Sequence, residues 1–125
     1  MINTPFRCGP LALTNSAANI LNPGTTTGGV NCTGAPWDKL YLVIKSIYVD
    51  DKGGAGGTFT LYIGATGASA AGTEIAKTMT VATNSYVRLD FPGGLRLNQA
   101  DFLVGLAAAN TTLTITVIGE VGVGA

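Results

Sequence analysis

The chain has 125 residues and equal numbers of basic and acidic side chains, 7 Lys+Arg against 7 Asp+Glu, so its formal net charge is zero. That length fits one domain, and the charge balance excludes the basic field by which proteins neutralise phosphates and bind nucleic acid. Histidine is absent, which removes the commonest general base and the commonest transition-metal ligand.

Only 11% of residues are charged, against about 25% in an ordinary soluble domain. Threonine (17), glycine (18) and alanine (16) must therefore supply much of the surface. A neutral chain with a mean hydropathy of +0.37 predicts surface that is covered in an assembly. No apolar run approaches the roughly 20 residues of a membrane-spanning helix, so no membrane partner is expected.

Residues 1–36 hold four of the five prolines and the glycine-threonine run Thr25 to Gly29. They read as an extended N-terminal arm with short pairing segments at Leu11 to Thr14 and Asn19 to Leu21, the second ended by Asn22-Pro23-Gly24. Residues 37–125 read as one β-sandwich domain. Leu40 to Val49 is β-branched and aromatic with apolar residues in both phases, the pattern of a central strand covered on two sides. Asp50 to Gly57 ends it. Thr58 to Ile63 alternates, with Phe59, Leu61 and Ile63 on one face. After a small-residue loop at 64–72, Glu74 to Val81 reads as a strand with Ile75, Met79 and Val81 on one face, or as a short helical turn. Val87, Leu89 and Phe91 define a further strand that stops at Pro92-Gly93-Gly94, and Leu95 to Leu97 a short one. Phe102, Val104 and Leu106 are expected inward, with Leu103 and Gly105 between them. Leu113, Ile115 and Val117 complete the inward set, alternating with outward Thr112, Thr114 and Thr116.

No window has the three-and-four apolar spacing of a packed helix. Short strands with turns near every ten residues predict an all-β, antiparallel β-sandwich of jelly-roll type.

Chemistry is sparse. Asp50-Asp51 ahead of a glycine loop is the one adjacent acidic pair, but Lys52 stands where a calcium loop needs more oxygens, so a solvated turn is expected. Gly53 to Gly57 lacks the Lys-Ser/Thr of a phosphate loop. The remaining acids are scattered, without the paired carboxylates of a glycosidase, and the serines have no histidine to activate them. No catalytic, metal or cofactor residue is assigned, and the chain is not expected to be an enzyme. Cys8 and Cys32 are too few for a thiolate metal site. One disulfide or two free thiols both fit the two cysteines; the N-terminus has no signal-peptide pattern, which predicts cytoplasmic synthesis and favours the reduced form. The aromatic residues Trp37, Tyr41, Tyr48, Tyr62 and Tyr86 could form a sugar platform, yet Tyr41, Tyr62 and Tyr86 fall on separate strands, where an amphipathic ring suits a sheet face or subunit contact. The uncharged Thr58/Thr60 and Thr112/Thr114/Thr116 rows read as unprotected sheet edges awaiting a neighbouring chain.

The succession Tyr41 to Asp50, Thr58 to Gly64, Ala70 to Ala76, Leu97 to Asp101 and Leu113 to Gly119 resembles the small jelly-roll decoration, or cement, proteins of tailed bacteriophages. The likeness covers about residues 40–120 and rests on strand-and-turn patterns. It implies a structural virion protein on the outer capsid surface, typically a trimer, that cements major capsid proteins. Phe6, Arg7, Trp37, Tyr41 and Tyr62 are the expected capsid or subunit contacts, with the arm reaching the shell. The alternative is a phage tail or fibre module that recognises a receptor or carbohydrate through the loops at 50–57 and 64–72.

Overall fold

The computed structural model describes residues 4–21, 41–64, 73–98, 101–109 and 112–122. Every regular element among them is a β-strand: β1 (Thr4–Ala12), β2 (Ala18–Leu21), β3 (Tyr41–Asp51), β4 (Gly57–Gly64), β5 (Glu74–Val81), β6 (Tyr86–Asn98), β7 (Phe102–Ala107) and β8 (Leu113–Gly122). They form two four-stranded sheets. Sheet A has the order β1-β8-β3-β6 and sheet B the order β2-β7-β4-β5. All pairings are antiparallel. One apolar cluster joins the sheets, with Leu42, Ile44, Ile47, Val49, Leu97, Leu113, Ile115 and Val117 from sheet A against Ile20, Leu21, Phe59, Leu61, Leu103 and Ala107 from sheet B. The protein is a β-sandwich, each sheet burying one face against the other.

The described part of the first 36 residues is built into this sandwich. β1 pairs along β8, and β2 pairs with β7. Cys8, Leu13, Ile20 and Leu21 are core residues, so the sandwich begins ahead of residue 37. Cys8 is disulfide-bonded, which corrects the expectation of reduced thiols. The separation of two cysteines along a chain does not reveal whether their Cα atoms come within the roughly 7 Å that a bridge requires. Cys32, the only other cysteine of the sequence, lies outside the described residues.

Four strands differ in phase or place from the sequence reading. In β3 the buried residues are Leu42 and Ile44, then Ile47 and Val49, and the pairing with β6 and β8 shifts between Ile44 and Ser46. A bulge at Lys45 moves the inward set from even to odd positions. The two-phase apolarity records that bulge, not burial on both faces. In β7 the expectation is reversed. Leu103, Gly105 and Ala107 oppose Ile63, Leu61 and Phe59, while Phe102, Val104 and Leu106 oppose Gly64, Tyr62 and Thr60. Phe102, Val104 and Leu106 therefore point away from the core. Gly105 sits where a Cβ would come 2.6 Å from Ile20 Cδ1 and 3.0 Å from Leu61 Cδ2, so on the inward phase the smallest residue leaves room for the side-chain tips of its neighbours on β2 and β4. The threonine rows, finally, are not edges: β4 lies between β7 and β5, and β8 between β1 and β3.

The strand expected to stop at Pro92-Gly93-Gly94 instead continues through them. Between Ser46↔Asp90 and Ile44↔Leu95 the β6 partner takes a detour, with Gly93 and Gly94 at φ +80° and +89°. β6 is an edge strand, where a proline leaves no ladder bond unmade. The helical alternative for 74–81 is excluded, since this segment pairs with β4 as a strand and is kinked at Thr78, φ 48°.

Candidate binding and docking faces

A sandwich presents two outer faces in opposite directions, and here they differ in chemistry. The strands of sheet A contain eight charged residues: Arg7, Lys45, Asp50, Asp51, Arg88, Asp90, Arg96 and Glu120. Those of sheet B contain two, Glu74 and Lys77, both on the edge strand β5. The middle strands of sheet B place Thr58, Thr60 and Tyr62 from β4 beside Phe102, Val104 and Leu106 from β7. Tyr62, Phe102 and Leu106 are half-buried. Val104 is only 1% exposed, although it lies outside the core cluster that joins the sheets. Thr60 is buried and its hydroxyl accepts a hydrogen bond from the Thr78 amide at 3.0 Å. This face combines apolar and hydroxyl groups and is uncharged across its centre.

The outer face of sheet A is assembled from β3 and β6. Ile47 and Val49 turn inward, so Tyr48 turns outward opposite Arg88, and Asp50 stands opposite Tyr86. The rings of Tyr48 and Tyr86 lie 6.2 Å apart, tilted by 33°. The Arg88 guanidinium carbon sits 5.9 Å from the Tyr48 ring centroid, within cation–π range. Arg88 Nε donates to both oxygens of Asp90 at 2.8 and 2.9 Å, and Ser46 Oγ donates to Asp90 Oδ1 at 2.9 Å. These donors, Arg88 foremost and Ser46 next, hold the Asp90 carboxyl below its ordinary pKa, and Asp90 in turn raises that of Arg88. The large apolar residues exposed among the described ones, Tyr86 at 60% and Ile118 at 39%, are both on this sheet. Arg7, exposed on β1, pairs in register with Ile118.

The five expected contact residues are dispersed. Arg7 belongs to the outer face of sheet A, and Tyr62 to that of sheet B. Phe6 opposes Gly119 in the β1–β8 ladder, and Tyr41 opens β3 opposite Asn98 and Gly122. Trp37 lies outside the described residues. Sequence reasoning missed the Tyr48–Tyr86–Arg88–Asp90 cluster, because its members come from strands separated by almost forty residues. The one available signal was the outward phase of Tyr86, Arg88 and Asp90.

The acidic pair at the end of β3 separates into two roles. Asp50 is exposed. Asp51 is 8% exposed and accepts the amides of Asn84 at 2.7 Å and Gly54 at 3.0 Å. Those donors, led by Asn84 and joined by Gly56 and Ala55, outweigh burial and lower its pKa. Asp51 thus ties the β3–β4 loop to the β5–β6 turn, with its oxygens spent on backbone amides.

Compared with known proteins, the chain matches no family model and no curated protein.

Proposed function

We propose that this chain is a structural virion subunit, a trimeric decoration or cement protein of jelly-roll type on the outer surface of a bacteriophage capsid, attached to the major capsid protein and to its own copies through the outer face of sheet B. The observation that carries this reading is the unequal charge of the two sheets. A face centred on Thr58, Tyr62, Phe102 and Leu106, all half-buried, can be covered without the desolvation cost of burying unpaired charges, and charge depletion marks the core of protein interfaces.

Three further features support it. The strand and turn succession resembles that of phage decoration proteins, and the sheet orders β1-β8-β3-β6 and β2-β7-β4-β5 suit a jelly roll of two four-stranded sheets. The disulfide at Cys8 fits residence outside the reducing cytosol, and virion surfaces are among the places where disulfides persist. Size argues for several copies. Four strands about 4.8 Å apart and about 20 Å long give a face of roughly 300–400 Å², below the roughly 800 Å² per partner of a standard interface. A lone copy would hold weakly, whereas linked copies multiply weak contacts through effective concentration.

Placing a charge on this face tests the reading. Leu106→Asp, and Thr58→Asp as a milder variant, are expected to melt as folded proteins yet sediment as monomers and vanish from purified particles imaged by electron microscopy. Wild-type self-association and particle occupancy retained in both folded variants would overturn it, as would a wild-type chain that neither self-associates nor binds particles.

A further inference from the structure

We propose that the Tyr48–Tyr86–Arg88 cluster on the outer face of sheet A is a stacking platform for a neutral, pyranose-type oligosaccharide. The inference does not depend on the virion reading, because the outer faces of a sandwich point in opposite directions and this cluster is on the one not assigned to attachment.

A pyranose offers an apolar face of C–H bonds bordered by hydroxyls that both donate and accept. Binding it requires exposed ring faces with donors and acceptors at their rim. Tyr86 is 60% exposed and supplies the open ring; the half-buried Tyr48 ring, 6.2 Å away at a tilt of 33° and capped on one side by Arg88, braces it from the neighbouring strand. Arg88, packed over Tyr48, supplies a donor. Ser46 and the Asp90 carboxylate supply acceptors, and Asp50, opposite Tyr86 in register, supplies another. The hydrogen bonds of Asp90 to Arg88 and Ser46 fix these groups before any ligand arrives, which limits the ordering cost of binding. One guanidinium against two carboxylates leaves the cluster net negative, so anionic sugars and phosphates are disfavoured. A protein partner would have to desolvate the same three charged groups, which the outer face of sheet B does not demand. Because the patch is flat and not a cleft, affinity per site is low, and copies displayed together would raise it.

The test is a titration of the full-length, isotope-labelled protein, followed by amide chemical shifts, with maltohexaose, cellohexaose and a galacto-oligosaccharide as neutral probes and sialyllactose as the anionic control. The expected result is saturable shifts confined to residues 46–50 and 86–90 with at least one neutral probe and none with sialyllactose. Tyr86→Ala, at an exposed position, should leave the melting temperature unchanged and weaken binding about tenfold, while Tyr86→Phe retains it. Leu106→Asp should bind sugar like the wild type, which separates this inference from the attachment reading. Absence of shifts with all three neutral probes would overturn the proposal, as would binding that survives Tyr86→Ala. So would a Tyr86→Ala protein that still binds sugar but no longer occupies particles, which would make the patch a protein contact.

Discussion

Asp51 shows how one side chain can couple two loops. Its carboxylate is held below its ordinary pKa chiefly by the Asn84 amide, with help from the amides of residues 54–56. A depressed folded-state pKa contributes stability at pH values above the unfolded pKa of about 3.9 and loses it as the pH falls through the lower folded value. Asp51→Asn removes the charge and one acceptor, so its melting temperature should lie a few degrees below wild type at pH 7. The gap should close as the pH falls below about 4 and wild-type Asp51 becomes protonated. Thermal melts across that range check this, and curves that stay parallel would show that charge on Asp51 does not strengthen the link. Its neighbour Asp50 has the same side chain one residue earlier, on the other side of the pleat, and stays in solvent.

At the scale of the element, strand phase is decided by bulges and by the partner strand. β3 reads as apolar in both phases because Lys45 inserts a residue that switches the buried set from Leu42 and Ile44 to Ile47 and Val49. β7 has apolar residues in both phases as well, Phe102, Val104 and Leu106 against Leu103 and Ala107, so alternation alone could not orient it. The larger side chains favoured the wrong choice. The inward phase passes through Gly105, over which the side-chain tips Ile20 Cδ1 and Leu61 Cδ2 lie close enough to crowd a methyl group. Gly105→Ala should therefore cost about 1 kcal/mol, the low end of overpacking, because the crowded atoms are side-chain ends, read by urea unfolding. A neutral or stabilising outcome would mean that the Ile20 and Leu61 tips swing aside without loss. β1 and β2 matter in the same way: a deletion through residue 30 would remove two strands and four core residues, Cys8, Leu13, Ile20 and Leu21, and so could not serve as a test of shell binding by an arm.

For the whole molecule, the decisive property is the segregation of charge. A chain of zero net charge has placed most of its ionic groups in one sheet and left the middle strands of the other uncharged. Self-association through the outer face of sheet B should then be insensitive to salt. Raising sodium chloride from about 0.1 to 1 M shortens the screening length from about 10 to about 3 Å, which weakens contacts between exposed charges and leaves apolar ones intact. Sedimentation across that range is expected to show no dissociation. Marked dissociation in high salt would move the contact to sheet A, where Arg7, Lys45, Arg88 and Glu120 reside.

The amino-acid sequence alone determined that the chain is all β, where most of its strands run, and much of the core, including Phe59, Leu61, Val81, Leu113, Ile115 and Val117. Those features depend on local periodicity and on turn residues, which act within a few positions of one another. Tertiary structure decided the remainder: which face of β7 is buried, that the threonine-rich strands are central, that Cys8 is bridged, and that Tyr48 meets Tyr86 and Arg88. Each of these depends on which strands become neighbours. That choice is made by long-range pairing and close approach between sheets, and distance along the chain carries no record of it.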